Sequence, residues 1–156
     1  MAGPARNVSY AARRPWVPRP AEFARWARAA WAELGARAPG GGGPLLDIRV
    51  VGEAMSRRLN TQWRRRAHAT NVLSFAGAGV GPDGRRHLGE LVICAPVLAR
   101  EARLQGKTRP SHWAHITVHG LLHLAGFDHQ RPAAARKMEA LEIQILDRLG
   151  FSNPYA

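Results

Sequence analysis

Three histidines within eleven residues place the strongest constraint on how this chain folds. The segment HGLLHLAGFDH covers residues 119–129, and its first two histidines, His119 and His123, are four positions apart. On a helix, side chains at this spacing leave the same face about one turn apart. Gly126 can adopt the left-handed conformation that ends a helix, so that the chain turns back and brings His129 to the same point. The spacing therefore predicts a three-histidine metal site at the end of a helix.

The three imidazoles also indicate which metal would bind and in what kind of site. Three neutral histidines suit zinc and leave its fourth coordination position open, as in catalytic zinc sites. We therefore predict one Zn²⁺ ion held by His119, His123 and His129. A closed structural zinc site is the alternative and needs a fourth protein ligand. The only cysteine, Cys94, lies in the apolar run LVICAPVL, where a buried hydrophobic side chain is the favoured interpretation.

The histidine spacing matches the long metzincin signature of metalloproteases, with one difference. In that signature a glutamate follows the first histidine and acts as the general base. Here the corresponding residue is Gly120. The sequence thus has the predicted metal ligands of a metalloprotease without its base, and a metalloprotease is kept as an alternative. His115, one turn before His119, is a candidate base, although a packing or supporting hydrogen-bonding role is favoured.

The chain is strongly basic. It has 23 lysines and arginines against 11 aspartates and glutamates, for a formal net charge of +12. Only Lys107 and Lys137 are lysines, so 23 − 2 = 21 of the basic residues are arginines. A GC-rich genome favours arginine over lysine but does not explain the few acids. A domain this basic attracts polyanions, and guanidinium groups match phosphate oxygens, although a merely basic solvated surface is the alternative.

Composition also limits the class and compartment of the protein. A chain of 156 residues is long enough to bury a hydrophobic core as one domain. One cysteine excludes an intrachain disulfide, which fits a reducing cytoplasm. The chain has no stretch of about 18 apolar residues and no apolar signal core. We therefore expect a soluble, cytoplasmic, single-domain protein without membrane association, with residues 1–20 partly flexible.

Strand and helix patterns alternate along the chain and predict an α/β fold with a small sheet. The predicted strands cover residues 7–12, 45–51, 71–75 and 87–94, and the predicted helices cover residues 21–34, 53–63, 96–104 and 132–149. The histidine helix is expected to begin after Ser111 as its N-cap and to end near Gly126. Residues 77–84, rich in glycine, are expected to form a turn. In helix 21–34 the aromatic residues share one stripe, which favours core packing over base stacking.

A run of three arginines, Arg64, Arg65 and Arg66, comes shortly before the predicted strand NVLSF. A charge run at the edge of an element is usually solvated. Near an open metal position, however, a fixed guanidinium would stabilise the negative charge that develops on phosphoryl oxygens when a phosphodiester is hydrolysed. At least one of these arginines is therefore a candidate for phosphate chemistry.

Four motifs together make the chain resemble the YbeY family of bacterial rRNA-maturation factors, which are metal-dependent endoribonucleases. They cover about residues 45–150 and are LN-x-x-W-R before T-N-V-L-S-F, LGELVIC, HITVHGLLHLAGFDH, and M-E-x-L-E-x-x-I-L-x-x-LG. The resemblance implies an α/β domain with a four-stranded sheet. Together with the chain length, it predicts one domain over residues 1–156, in which helices pack on a small mixed sheet of about four strands. It also implies zinc on the three histidines of the motif, and it assigns the catalytic arginine to Arg64.

The resemblance further implies a substrate and partners. The expected activity is cleavage of single-stranded RNA, in maturation of the 3′ end of small-subunit rRNA and in ribosome quality control. The expected partners are an rRNA precursor and the small ribosomal subunit. Arg57, Arg58, Arg65 and Arg66 would then hold the RNA backbone without reading its sequence. A zinc-containing ribosome-assembly factor without catalytic activity is the alternative.

The chain departs from the family pattern in two places. After Arg64 the family has a small, a basic and an acidic residue and then Pro-Thr, whereas this chain has RRAHAT. The strand motif LGD is here LGE, so that Glu90 replaces an acid one carbon shorter. If that acid orients a ligand or water, we expect its geometry to differ. Asp128 is a candidate to orient an imidazole or to cap the turn.

Overall fold

Helices pack on both faces of a small sheet in the computed structural model, which describes residues 5–34, 44–82, 84–127 and 130–156. The strands in these ranges are β1 (Ala5–Tyr10), β2 (Leu45–Val51), β3 (Val72–Val80) and β4 (Arg86–Cys94). The helices are α1 (Pro20–Leu34), α2 (Glu53–Arg64), α3 (Ala95–Leu104), α4 (Arg109–Leu124) and α5 (Pro132–Arg148). Among the described residues, no helix is long and apolar enough to cross a membrane.

The sheet is mixed and has the strand order β1-β2-β4-β3. Strands β1, β2 and β4 run parallel, and β3 pairs antiparallel with β4. Parallel neighbours need a crossover connection, and α1 provides one between β1 and β2. The predicted α/β fold with a small mixed sheet of four strands is therefore confirmed.

Alternate residues of β4 pack into two separate cores because successive side chains of a strand face opposite sides of the sheet. Leu91 and Ile93 belong to the larger core, which α1, α4 and α5 cover. Val92 and Cys94 belong to a smaller core, against which Met55 of α2 packs. The buried position of the cysteine agrees with its predicted hydrophobic role.

The aromatic stripe of α1 packs into the larger core. Phe23, Trp26 and Trp31 are at most 3% exposed. The Phe23 ring meets Trp26 and Trp113 edge to face, with centroids 5.7 and 6.0 Å apart. Core packing, rather than base stacking, is thus confirmed for these aromatic side chains.

The glycine-rich segment corrects one local prediction. Residues 77–80, expected to lie in the turn, belong to β3, which continues to Val80. The backbones of β3 and β4 approach so closely that a Cβ on Gly77 or Gly89 would lie about 2 Å from a carbonyl oxygen of the other strand. The register shifts between Ala76 and Gly79 at this point. Gly77 and Gly89 therefore allow the irregular pairing of β3 with β4, and the turn begins after Val80.

The start of α4 corrects a second prediction. The N-cap is Thr108 and not Ser111, because the Thr108 hydroxyl accepts a hydrogen bond of 3.2 Å from the Ser111 N–H. Helix α4 begins at Arg109, so that Pro110 lies in its first turn, where the missing N–H costs nothing. The helix that carries the histidines is therefore one turn longer at its start than predicted.

Gly120 allows α4 to lie close to the sheet. It is buried, and a Cβ at this position would lie 2.7 Å from Cδ2 and 3.2 Å from Cδ1 of Leu91 on β4. Leu91 is itself fully buried and has little space into which it could move. The glycine after the first histidine of the motif therefore has a packing role.

We predict that Gly120→Val lowers the free energy of unfolding by about 2 kcal/mol, because the added methyl groups overpack the contact with Leu91. Helix propensity alone would favour valine over glycine, so a loss of stability reports on the packing. Denaturant unfolding would measure it. Ala140→Val, at an exposed position of α5, is the control and should change stability much less. Equal effects of the two substitutions would contradict the packing role.

Candidate active site

A cleft of about 780 Å³ lies between the end of α2, strand β3 and helix α4. Trp63 and Arg64 of α2 line it on one side, and His119 and His123 of α4 line it on another. The segment 70–76, which leads into β3 and forms its first half, completes the lining. The cleft thus brings the predicted catalytic arginine together with two of the three predicted metal ligands.

The third predicted ligand, His129, and its neighbour Asp128 lie outside the described residues. Gly126, just before them, has a φ of +105°, in the left-handed region that favours glycine, so the chain turns there as the motif predicted. Within the described ranges, no three histidine, cysteine, aspartate or glutamate side chains form a group that would hold a metal ion. The three-histidine zinc site therefore stays a prediction, with His119 and His123 on one cleft.

A buried carboxylate on α5 holds the first of these histidines. Glu142 is fully buried, and its Oε1 lies 3.1 Å from Nδ1 of His119. Its Oε2 lies 2.6 Å from Nε2 of His115 and 2.9 Å from the hydroxyl oxygen of Tyr155. Burial raises the pKa of the Glu142 carboxyl, but the hydrogen bonds from His115 and His119 outweigh burial and lower it to about 2. Glu142 is therefore an ionised acceptor of three hydrogen bonds.

The charge of Glu142 decides which nitrogen of His119 carries the proton. An ionised carboxylate only accepts hydrogen bonds, so Nδ1 of His119 must donate. In the neutral imidazole, Nε2 then keeps its electron pair, which is the form that binds metal. Metal-binding histidines are commonly oriented by a carboxylate in this way. The described residues therefore supply two of the three imidazole donors that the predicted zinc site needs.

His115 is bound to Glu142 and does not line the cleft. Its Nε2 donates to the carboxylate, and its Nδ1 is buried without a hydrogen-bond partner among the described residues. A general base needs a nitrogen within reach of the substrate. The structure therefore favours the supporting role of His115 over the role of base.

Sequence reasoning did not assign a role to Glu142. The signal was present, since Glu142 lies four residues after Met138 and three before Ile145, on the apolar stripe of α5. A lone acid on a buried helix face requires partners. Those partners come from α4 and from Tyr155, which are distant in sequence, and the pattern of α5 alone did not identify them.

Arg64 is the last residue of α2, and a left-handed residue follows it. Arg65 has a φ of +57°, and its N–H donates to the carbonyl oxygen of Thr61 at 3.1 Å. The Arg66 N–H donates to the carbonyl oxygen of Asn60 at 3.2 Å. A non-glycine residue in this conformation costs about 1 kcal/mol, so the surrounding contacts must hold it. These hydrogen bonds therefore hold the backbone at the end of α2, next to Arg64, in a defined conformation.

Side chains of α2 fix the segment that follows. The buried Asn60 donates from Nδ2 to the His68 carbonyl oxygen at 2.8 Å. The Ser56 hydroxyl donates to the Thr70 carbonyl oxygen and accepts from the Thr70 N–H, both at 3.0 Å. The loop from Arg65 to Thr70 is therefore tied to α2 at both of its ends.

The other predicted RNA-binding arginines lie apart from the cleft lining. Arg57, Arg58, Arg65 and Arg66 are exposed and do not line it. Glu90, the second departure from the family pattern, is paired with Arg49 at 2.9 Å and does not line it either. The extra carbon of Glu90 therefore does not alter the walls of the cleft.

A family model described as endoribonuclease YbeY matches residues 17–150. The chain belongs to the YbeY family. It is 49% identical to endoribonuclease YbeY of Bordetella pertussis, over 86% of this chain and 88% of that protein. It is 45% identical to endoribonuclease YbeY of Nitrosococcus oceani, over 96% of this chain and 95% of that protein. The predicted resemblance is thus confirmed.

A solved structure supports the fold independently. The solution structure of TM1509 from Thermotoga maritima superposes with a TM-score of 0.56 over 94% of this chain and 92% of that one. Its sequence identity to this chain is 18%, so the likeness concerns the fold alone. The overall fold therefore persists where the sequences have diverged.

For this YbeY-family chain we predict that Glu142→Gln weakens zinc binding about 10- to 100-fold, because an amide holds the Nδ1–H of His119 less strongly than a carboxylate does. Titration against a competing chelator would measure the affinity, and thermal unfolding would show that the variant folds. Asp147→Asn, which removes the same charge from an exposed position of α5, is the control. Wild-type affinity in a folded Glu142→Gln protein would contradict the role of the carboxylate.

Proposed function

We propose that the protein is a zinc-dependent endoribonuclease that cleaves single-stranded RNA. Its proposed role is maturation of the 3′ end of small-subunit rRNA and ribosome quality control in the cytoplasm, with an rRNA precursor and the small ribosomal subunit as partners. The observation that carries the proposal is the cleft shared by Arg64, His119 and His123, in a chain whose relatives are named endoribonucleases. The net charge of +12 favours a polyanionic substrate.

Each residue of the proposed site has a separate task. His119, His123 and His129 would hold one zinc ion, and Glu142 orients His119 through its Nδ1–H. Zinc bound there would supply Lewis-acid polarisation of a phosphoryl oxygen. No general base is assigned, since His115 is engaged with the Glu142 carboxylate.

Arg64 would stabilise the charge of the reacting phosphate. Arg64 lines the cleft, and the hydrogen-bonded end of α2 holds its backbone. A positioned cation stabilises the negative charge that develops on the phosphoryl oxygens better than reorganising water does. Arg57, Arg58, Arg65 and Arg66, which are exposed outside the cleft, would attract the flanking backbone of the strand.

The packing of Gly120 counts against the metalloprotease alternative. That position is directed at Leu91 in the core and not at the cleft. A glutamate there would have to displace Leu91 and bury its charge, at a cost of several kcal/mol. In this fold, therefore, the residue after the first histidine is not a place for a general base.

We predict that His123→Ala loses both zinc and RNA cleavage, because two imidazoles bind zinc far more weakly than three. Metal analysis of the purified protein, paired with cleavage of a labelled rRNA precursor, would test this. His87→Ala, at an exposed position of β4 outside the cleft, should keep both properties. Full cleavage by metal-free His123→Ala would refute the zinc mechanism. RNA binding without cleavage in the zinc-loaded wild type would support the assembly-factor alternative.

We predict that Arg64→Ala retains zinc but cleaves about 100- to 1000-fold more slowly, as expected when one charge-stabilising donor is removed. Single-turnover kinetics with saturating protein would separate this loss from weaker binding. Arg28→Ala removes the same charge from an exposed position of α1 and should cleave at the wild-type rate. Loss of zinc in Arg64→Ala would mean instead that Arg64 supports the structure of the site.

A further inference from the structure

The cleft contains an aromatic surface that the proposed chemistry does not use. Trp63, the residue before Arg64 on α2, lines the cleft and is 62% exposed. By contrast, Trp26, Trp31 and Trp113 are each at most 3% exposed. An indole is the side chain with most to gain from burial. A ligand that covers the exposed indole in the cleft would therefore gain binding free energy.

Trp63 packs against a residue of the neighbouring strand. Its ring meets Phe75 of β3 edge to face, with centroids 5.9 Å apart and planes at 73°. Phe75 in turn packs against the smaller core. The indole is therefore supported by the fold, so less conformational entropy is lost when a planar ligand stacks on it.

We propose that Trp63 is the stacking surface for one unpaired base of the RNA strand, at the nucleotide next to the cleaved phosphate. The inference rests on the proposed function, because it assumes RNA in this cleft. Every base has a π-face, so stacking on an indole favours no particular sequence but requires a base that is free of its partner. Trp63 thereby contributes to the selection of single-stranded over double-stranded RNA.

Neighbouring groups in the cleft suit the rest of the same nucleotide. Trp63 and Arg64 are consecutive on α2, so their side chains diverge by about 100° around the helix axis. A base on the indole thus leaves its phosphate available to the guanidinium. Thr70 and Ser74 line the same cleft, and a hydroxyl is a group that can hydrogen-bond to ribose or phosphate oxygens.

The charge of the surroundings favours RNA over a protein as the occupant. Trp63 is followed by three arginines, and the whole chain has a formal net charge of +12. A hydrophobic protein surface would have to desolvate Arg64 beside the indole, which is unfavourable without a paired anion. A nucleotide brings both the apolar face and the anion.

The test measures RNA affinity with zinc removed by a chelator, so that the result does not depend on cleavage. Anisotropy of a labelled single-stranded oligonucleotide gives the dissociation constant. Trp63→Leu should weaken binding about 10-fold or more, whereas Trp63→Tyr should stay within about 3-fold of wild type because a planar ring is retained. Leu104→Ala, which removes an 83% exposed apolar side chain outside the cleft, should bind as wild type does.

An abasic scan then locates the contact. In each oligonucleotide of the set, one nucleotide lacks its base. The wild type should lose affinity most sharply at one position, and Trp63→Leu should show no loss at that same position. The same RNA in a fully paired duplex should bind the wild type and Trp63→Leu equally, since its bases are unavailable for stacking.

The outcomes separate the stacking inference from the proposed function. Equal affinity of wild type and Trp63→Leu, or the same abasic profile in both, would overturn the stacking inference even if the zinc-loaded protein cleaves RNA. Loss of affinity in Trp63→Tyr equal to that in Trp63→Leu would overturn it as well. The expected losses, together with no cleavage by the zinc-loaded wild type, would support stacking and reject the proposed nuclease. Thermal unfolding would show whether Trp63→Leu folds; if it does not, Trp63→Met, which also lacks a planar ring but retains a long side chain, replaces it in both measurements.

Discussion

The ionised carboxylate of Glu142 is the interaction on which the candidate site depends. A fully buried charge is costly unless hydrogen bonds replace its lost hydration. Here His115 and His119 from α4 and Tyr155 near the end of the chain supply them. Because two donors lie on α4 and the third in the terminal segment, both parts of the chain must be correctly docked on α5 before all the hydrogen bonds of Glu142 form. The same contacts fix the proton of His119 on Nδ1, so the docking of these elements also orients the His119 imidazole.

One face of helix α4 packs against the sheet, and another face lines the cleft. Gly120 lets the helix approach Leu91 on the sheet, while His119, the preceding residue, reaches both the cleft and Glu142. Adjacent residues of a helix diverge by about 100°, so the two tasks fall on different faces. A residue larger than glycine at position 120 would lift α4 from β4 and shift the histidines relative to Arg64. Gly120 of the motif thus sets the distance of α4 from the sheet, while its neighbour His119 is a predicted metal ligand.

Periodicity predicted the elements of the fold well, because local patterns of apolar residues set them. Strand β2 has the predicted bounds, and α2 and α5 differ from prediction by one residue at one end. One error was local, since the N-cap of α4 is Thr108 and not Ser111. The others arose where a contact between different elements decides the structure. Because β3 and β4 approach closely at Gly77 and Gly89, residues 77–80, which were expected to lie in the turn, belong to β3. The role of Glu142 was not predictable from α5 alone, since its partners lie on other elements.

The departure from the family pattern after Arg64 has a physical explanation in the way the loop is anchored. Asn60 binds the carbonyl oxygen of His68, and Ser56 binds both the N–H and the carbonyl oxygen of Thr70. All three loop groups belong to the backbone, so the anchors do not require particular side chains at residues 65–69. Side chains there are therefore free to change while the end of α2 stays in place. What the loop must preserve is the position of Arg64, and buried polar residues of the helix preserve it.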